Sequence, residues 1–523
     1  MRARQTGTAF QNPSARSYTI PAPVGGIYAK GPEQLTDEFY ARDLVNVVPG
    51  QDLDIRRGYT AHSTGMTTDV ETLAVHAKPD GTRVLLAAAN GNIYNASSAG
   101  AATDLTTSFA GFGSNRWQFT SCHGNTIFAN GVDEPVVFDG TSFSTGVISG
   151  SGLTPDNLIT ATVYKSRIYM IEANTTTFWY CSNLGSYGTL TDVDMYDQLN
   201  KSGHLLYAGG WTRDTGSGLE DVFLLLSSEG ELLMYTGSYP AADSWENVGR
   251  YYLPRPIGEY RSVFNIPGDV GIITEGGIFL VSALVAANDV GAQISAYTEN
   301  IKPLFKEDVH SYGSNIGWSG FYYGAQGWTL VNVPVASNSK SKQWVVKLVT
   351  NPATNSLVNS WFRFDGWHAY CFAEYNGELF FGSDDGNVYK ADYGYNDNDG
   401  AIDISIDHTF SYLGDRTHRK QVVAARSLMR ASSNIELGYG VDMDFRDDGE
   451  VNSISNIVDA ITPWGSPWGS SWGGVGPNTP IQNWEMIAAD LGYAAALKVK
   501  AQLKDINFQF SATNIQYTPG GNF

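Results

Sequence analysis

The chain is poor in charged side chains, and above all in basic ones. Only 16% of its 523 residues are Asp, Glu, Lys or Arg, against roughly a quarter in an ordinary globular protein. The 33 Lys and Arg are outnumbered by 53 Asp and Glu, which gives a formal net charge of −20. A protein that grips nucleic acid through its phosphates needs the opposite balance, so the composition excludes that class.

Cysteines and long apolar runs are also scarce. Cys122, Cys181 and Cys371 lie far apart with no CxxC spacing, which does not favour a disulfide framework and predicts buried, reduced thiols. No apolar run approaches the roughly 18 residues of a membrane span. The first residues, MRARQTGTAFQNPSARSYTI, lack the apolar core of a secretion signal. We therefore expect a chain that is made in a cytoplasm.

Motifs that carry chemistry are missing as well. The sequence contains no HExxH, no GxSxG, no GxxxxGK[ST] and no GxGxxG followed by a helix, so zinc-protease, serine-hydrolase and nucleotide-binding chemistry have no support. The eight histidines lack the spacing of helix-borne metal ligands. We expect no catalytic residue, no cofactor and no metal.

Two weaker patterns leave alternatives open. The acid pairs could serve a glycosidase, which needs two carboxyl groups facing each other across a sugar, but sequence neighbours are more often turn or edge residues. The segments DNDGAID at 397–403 and SDDGN at 383–387 are consistent with calcium loops and equally with hairpin turns. The acid pairs are Asp192 with Asp194, Glu220 with Asp221, Asp384 with Asp385, and Asp442 with Asp444.

What the sequence does contain favours β structure. It has 57 Gly, 29 Tyr and 13 Trp, residues typical of turns and strands. From residue 70 to 392 a short apolar strand repeatedly meets a turn rich in Gly, Asn or Asp, and a second strand carries Tyr or Phe. Each such unit is typical of a β-hairpin. The units span 82–96, 125–140, 166–182, 221–237, 269–283, 321–334 and 377–392.

Sheet units recurring every 40 to 50 residues are typical of a β-propeller. We predict a mainly β protein with a propeller-like domain of six or seven blades at 67–392. An N-terminal arm and docking segment at 1–66 precedes it, and a C-terminal β domain with a Trp- and Gly-rich loop follows at 393–523. The fold class is thus repeated small antiparallel sheets plus an antiparallel β domain built from the N- and C-terminal segments. The best helix candidate is 32–47.

Two terminal features are candidates for subunit contacts or a channel loop. The first 32 residues carry Arg2, Arg4 and Arg16 and no acid, so the arm is either a hook for an acidic neighbour or a disordered start. The loop ITPWGSPWGSSWGG carries Trp464, Trp468 and Trp472. Its rings either contact a sugar, a lipid surface or another subunit, or are buried against their own domain.

Three segments carry a resemblance to a known family. They are YTIPAPVGGIYAK at 18–30, DLVNVVPGQDLDIRRGYTAHSTGM at 43–66 and NFQFSATNIQYTPGG at 507–521. Together they resemble the tail nozzle proteins of short-tailed bacteriophages, also called tail tubular protein B. The family's A-P-x-G-G turn, Asn and Pro segment and R-x-G-Y turn correspond to Pro23–Gly26, Asn46–Gly50 and Arg56–Tyr59. These segments cover about a tenth of the chain, and the middle agrees only in architecture.

The resemblance implies a virion structural protein, assembled in the bacterial host cytoplasm. It implies a homohexameric ring around the DNA-ejection channel at the distal end of a podophage tail. The implied partners are an adaptor protein above it, tail fibres or spikes, and the host cell envelope below. Genomic DNA would pass without sequence-specific binding. Six chains of −20 give a ring of about −120, and an acidic lumen in such a ring would repel phosphates.

Two competing functions come from other classes. One is a tail or receptor-recognition protein whose propeller binds glycan. The other, which we rank below it, is a propeller glycoside hydrolase, which would require two acids converging on a central pocket.

Overall fold

The computed structural model describes residues 15–214, 219–290, 295–336, 340–433, 435–447, 452–456, 479–481, 484–487 and 490–520. The chain divides into two compact units. The propeller unit comprises residues 57–347 and 363–398, and the terminal unit comprises residues 1–56, 348–362 and 399–523.

Six small antiparallel sheets form a ring in the propeller unit, which confirms the predicted β-propeller. We call these sheets blades 1 to 6 in chain order. Blade 1 consists of Thr72–Ala77, Arg83–Ala89, Asn92–Asn95 and Thr103–Asp104, and blade 2 consists of Gln118–Cys122, Asn125–Ala129, Val136–Phe138 and Phe143–Ser144. Blade 3 consists of Leu158–Tyr164, Arg167–Glu172, Thr177–Tyr180, Thr189–Asp194 and Ser149–Gly150, and blade 4 consists of Leu205–Asp214, Leu219–Ser227, Glu231–Thr236 and Glu246–Tyr252. Blade 5 consists of Val263–Ile266, Asp269–Thr274 and Gly277–Leu280, and blade 6 consists of Ala369–Tyr375, Glu378–Ser383, Val388–Ala391, Tyr59–Thr64 and Gly100–Ala101.

Between blades 5 and 6 the chain forms a further antiparallel run of Ser319–Tyr323, Trp328–Ala336 and Lys340–Thr350. Its first strand contacts both neighbours, because Gly320 leaves room for Phe264 of blade 5 and the ring of Phe321 stacks on Phe372 of blade 6. Each of the predicted hairpins, including 321–334, is present in the structure.

The ring closes by joining distant parts of the chain. In blade 6, Tyr59–Thr64 pairs antiparallel with Val388–Ala391, so residues more than 300 positions apart share one sheet. The first strands of neighbouring blades contact one another, for example Ala369–Tyr375 of blade 6 with Thr72–Ala77 of blade 1. The first strands therefore line the centre of the ring.

Burial on both faces explains the continuous apolar strands. In blade 4, Leu224 and Leu226 point into a cluster shared with blade 5. The alternating Phe223 and Leu225 point into a cluster shared with blade 3. Because each blade is covered by two neighbours, both faces of its central strands must be apolar.

Helices are few. The α-helices are Val281–Val290 and Lys302–Tyr312, both after blade 5. The 3-10 turns are Glu33–Leu35, Pro155–Asn157, Tyr196–Gln198, Glu259–Arg261 and Glu299–Ile301. The helix candidate at 32–47 is wrong beyond its first turn, since Ala41–Val45 is a strand paired with Ile402–His408. No helix among the described residues is long and apolar enough to cross a membrane.

The terminal unit contains two antiparallel sheets built from both ends of the chain, as predicted. One consists of Val47–Pro49, Leu53–Ile55, Phe508–Pro519, Lys420–Ala431 and Thr479–Ile481, with Arg16–Pro21, Glu485–Met486 and Leu491–Gly492 beside them. The other runs in the order Leu357–Phe364, Ala41–Val45, Ile402–His408, Ala495–Leu503, Ile435–Met443 and Asn452–Asn456. The ring of His408 in the second sheet lies 5.8 Å from that of Phe510 in the first, so the two sheets enclose a common core.

Candidate functional site

A pocket of about 750 Å³, which we call the mouth pocket, lies among the segments that lead into the blades of the propeller. Its lining comes from segments that lead into first strands of the ring. Arg116 precedes blade 2, His204 precedes blade 4, Glu259 precedes blade 5, and Gly317 precedes the further run. The helix Lys302–Tyr312 contributes Lys306. Because segments before several blades each supply part of this lining, the pocket forms only when the ring is complete.

Beside this pocket the centre of the propeller is tied together by Arg261. Its guanidinium donates hydrogen bonds to the backbone oxygen of Glu71 at 2.8 Å and to Thr72 Oγ1 at 2.8 Å, both at blade 1. It also donates to the backbone oxygen of Trp117, at blade 2, over 3.2 Å. Burial lowers the pKa of Arg261 to about 10, so it stays charged at neutral pH. One side chain from blade 5 thus joins three blades.

Arg116 is the other arginine of this region, and its environment differs. Burial lowers its pKa, while the nearby carboxylates of Glu259 and Glu71 act in the opposite direction. Glu71 itself has a raised pKa, mainly because it is buried and despite Arg116 and Arg261 nearby. Arg116 and Glu71 are both half-buried, so their charges interact more strongly than they would in water.

The pocket wall mixes hydrogen-bond donors, acceptors and apolar surface. Glu259 and Glu275 are exposed acceptors, and Arg255 and Lys306 are exposed donors. His204 has a lowered pKa because it is partly buried, so it is neutral at pH 7 and can donate with one ring nitrogen and accept with the other. Apolar surface comes from Leu206, Pro256, Ile257, Val309 and Ile316.

Of the residues predicted from sequence as subunit contacts, the structure describes Arg16. It begins the strand Arg16–Pro21 and pairs with Tyr517 of the C-terminal strand. Its exposed guanidinium lies 4.0 Å from Asp415. Such a pair contributes little stability. Arg2, Arg4, Trp464, Trp468 and Trp472 lie outside the described residues, so their proposed roles stay predictions.

The acid pairs noted in the sequence are not among the residues that line the pocket, and most of their members have structural partners. Asp194 accepts hydrogen bonds from Thr176 Oγ1 and the Tyr196 backbone, and Asp221 accepts from Thr212 Oγ1. Asp385 accepts from Tyr389 and from the backbone of Asn387. Asp442 is fully buried between Arg42 and Lys498, and Asp444 binds the backbone N–H groups of Tyr493 and Ala494.

The cysteines are buried free thiols, as predicted, and burial raises the pKa of Cys371 to about 12. In the part of the chain that the structure describes, no three His, Cys, Asp or Glu side chains group to hold a metal ion. In the calcium-loop candidate at 397–403, Asn398 and Asp399 adopt positive φ angles. Asp399 pairs with Lys504 at 2.8 Å, as expected of a turn.

Two of the motifs that carry the resemblance contain residues with defined structural roles in the terminal unit, and Asn46 also contacts Arg56 of the third. Asn46, at a φ of 57°, accepts a hydrogen bond from Arg56 Nε at 2.7 Å and donates one to the backbone oxygen of Asp403 at 2.7 Å. At Gly26, φ is +82° and a Cβ atom would lie 2.5 Å from the backbone nitrogen of Trp361, so only glycine fits there. These motif residues are determinants of the fold.

A second concavity, of about 720 Å³, lies on the outer face of the sheet that contains Ala41–Val45. We call it the acidic face. Asp43, Asp403 and Glu436 line it with one basic residue, Lys500. Nearby Asp407 has a raised pKa because of burial and the neighbouring Asp43. This face presents negative charge to whatever lies against it.

The mouth pocket was not predicted from the sequence. Its charged residues lie between positions 116 and 306, and no spacing rule connects them. The one local signal is PRPIGEYR at 254–261, a cluster of charged residues directly before a strand, which is the position from which a propeller displays side chains at its centre.

Comparison with known proteins adds little. No protein-family model matches the chain, and no curated protein matches it. Among solved structures, it is similar to one described as "YCF48 bound to D1 peptide", at 10% sequence identity and a TM-score of 0.37. The match covers 64% of this chain and 94% of that chain. A likeness this distant says nothing about which ligand this chain binds.

Proposed function

We propose that the propeller is a recognition module that binds carbohydrate in the mouth pocket. The observation that carries this proposal is the lining itself, in which carboxylates and cationic donors both border a cavity of about 750 Å³. A sugar hydroxyl both donates and accepts hydrogen bonds, so it needs partners of both kinds. Exposed Ile316 and half-buried Val309 offer apolar surface for the C–H faces of the ring.

Glu259 provides the test of this function. We expect full-length protein to bind members of a panel of oligosaccharides in calorimetric titration, and Glu259→Gln to weaken that binding about tenfold by removing a charged acceptor. Glu246→Gln is the matched control, because Glu246 is an exposed glutamate on the outer strand of blade 4. Failure of every panel member to bind would contradict the proposal, and release of reducing ends would instead favour the glycoside hydrolase.

A second candidate function is the tail nozzle, and a different observation favours it. The segments that resemble the nozzle family assemble into one structure, in which Arg16–Pro21 and Leu53–Ile55 both pair with Phe508–Pro519. The acidic face of the same unit suits the wall of a channel along which duplex DNA slides without sticking. In this role the chain forms a homohexameric ring at the distal end of the tail and contacts an adaptor.

Labelling of virus particles tests the nozzle role. An antibody against residues 507–521, viewed by electron microscopy on particles from the source of this chain, is expected to mark the distal tail tube. Label on the fibres would favour the glycan-binding role alone. An absence of label on any particle, with the antibody shown to bind the folded chain, would contradict a place in the virion.

A further inference from the structure

The charge balance of the mouth pocket is opposite to that of the whole chain. Three permanent cations, Arg116, Arg255 and Lys306, line it with two carboxylates, Glu259 and Glu275. In the sequence, by contrast, 53 acids outnumber 33 basic residues. An anion is therefore attracted to this basic pocket and repelled by the acidic surface elsewhere on the protein.

Arg116 is the cation best placed to hold an anion. It is a half-buried residue of the pocket lining, and the carboxylates of Glu259 and Glu71 interact with its charge. Within the described ranges, however, its guanidinium has no carboxylate oxygen within 4.0 Å and no hydrogen-bond acceptor. Its planar fork of N–H donors matches the two oxygens of a carboxylate or phosphate. Arg261, whose donors already bind three oxygens, has no comparable capacity.

The other two cations of the pocket, Arg255 and Lys306, are exposed. Arg255 lies 3.8 Å from Glu229, and both side chains are largely exposed, so this pair is weak and separates readily. Lys306 projects from the helix Lys302–Tyr312 and is exposed. Both can turn towards a negatively charged ligand at little cost.

We propose that the mouth pocket binds an acidic saccharide, whose anionic group pairs with Arg116 while its hydroxyl groups bind Glu259 and Glu275. The proposal rests on the carbohydrate-binding function above and narrows its ligand class. The anion is a carboxylate or a phosphate on the sugar, since both fit the guanidinium.

Matched ligands separate these possibilities. Calorimetric titration of full-length protein uses a galacturonate trimer, the neutral galactose trimer, and a galactose trimer carrying one phosphate. We expect at least one acidic trimer to bind about tenfold more tightly than the neutral one, and the stronger of the two to identify the anion. Arg116→Gln should abolish this preference by lowering the affinity for the acidic trimer more than the affinity for the neutral one. Arg83→Gln, an exposed arginine of blade 1, should change nothing.

The outcomes distinguish this inference from the function on which it rests. Equal affinity for acidic and neutral trimers would overturn the acidic-ligand inference and leave carbohydrate binding intact. A preference that persists in Arg116→Gln would also overturn it. Failure of all three trimers to bind would count against both proposals. Loss of the preference as salt is raised would support the ionic contact.

Discussion

Arg261 of blade 5 binds three polar groups that belong to two other blades. Its donors bind the backbone oxygens of Glu71 and Trp117 and the hydroxyl of Thr72. Hydrogen bonds to a charged donor contribute about 1.5–3 kcal/mol each. The burial that lowers the pKa of Arg261 to about 10 offsets about 3 kcal/mol of that gain.

We therefore expect Arg261→Met to reduce the free energy of unfolding of the propeller unit by about 3 kcal/mol. Urea unfolding followed by tryptophan fluorescence measures the loss, since Trp117 is adjacent. Arg83→Met is the control and should change stability by less than about 0.5 kcal/mol. Equal stability of the two variants would show that Arg261 does not tie the blades together.

We expect His408 to make the terminal unit sensitive to acid. Burial lowers its pKa to about 4, and both ring nitrogens lack a hydrogen-bond partner among the described residues. The unfolded chain takes up this proton near pH 6.5, whereas the folded chain takes it up only near pH 4. The stabilising contribution of neutral His408 is therefore complete above pH 6.5 and is lost as the pH falls from 6.5 to 4.

We expect His408→Phe to remove about 3 kcal/mol of the loss of stability over this pH interval. Thermal unfolding of the terminal unit at a series of pH values measures it. The control is His310→Gln, because His310 is an exposed histidine of the propeller unit. An unchanged pH profile in His408→Phe would assign the acid sensitivity to other groups.

At the scale of elements, the turn at Asn46 joins two segments of the terminal unit. Its side chain bridges Arg56 and the backbone of Asp403, and its φ of 57° lies in the left-handed region that asparagine tolerates better than alanine. Asn355 has a similar φ of 53° but is exposed. Substituting each asparagine in turn therefore separates the cost in stability of the backbone conformation from the contribution of the buried hydrogen bonds.

We expect Asn46→Ala to destabilise the terminal unit by about 3 kcal/mol, since buried partners lose their hydrogen bonds. Asn355→Ala, which has only the backbone cost, should destabilise it by about 1 kcal/mol. Denaturant midpoints of the two variants give the comparison. Equal losses would mean that the motif asparagine acts through its backbone conformation alone.

The hairpins could be predicted because their causes are local. Alternation at period two and turn residues that tolerate positive φ both lie within about 15 residues, and Asn90 and Gly91 do adopt positive φ at the turn of 82–96. The helix Val281–Val290 was not predicted, because it follows a strand without a break and continues its apolar run. Pairing of Tyr59–Thr64 with Val388–Ala391 depends on ring closure, which no local pattern records.

At the scale of the whole molecule, the low content of basic residues predicts how the protein treats DNA. We expect full-length protein not to retain duplex DNA in a mobility-shift assay at physiological salt. The triple variant Asp43→Lys, Asp403→Lys and Glu436→Lys reverses the acidic face. It should gain salt-sensitive retention, since clustered lysines displace counterions from phosphates.

A matched triple variant on the propeller controls for net charge. Asp156→Lys, Asp197→Lys and Asp243→Lys replace exposed acids that are spread over the propeller unit. This variant changes the net charge by the same amount without creating a basic face. Equal DNA retention by the two variants would show that total charge, and not the acidic face, keeps DNA from binding.

The sequence by itself determined the fold class, because strand alternation, turn chemistry and the apolar strands of blades are encoded within short stretches. It also determined that the chain is acidic and that its cysteines are buried thiols. Tertiary structure alone decided where the candidate site lies. Arg116, Arg255, Glu259 and Lys306 come together only when the ring closes, and the ring is closed by a strand pair spanning most of the propeller sequence. Contacts between residues so distant along the chain produce no periodic pattern in the sequence. The strands and turns that make these contacts do produce such a pattern, because they are local.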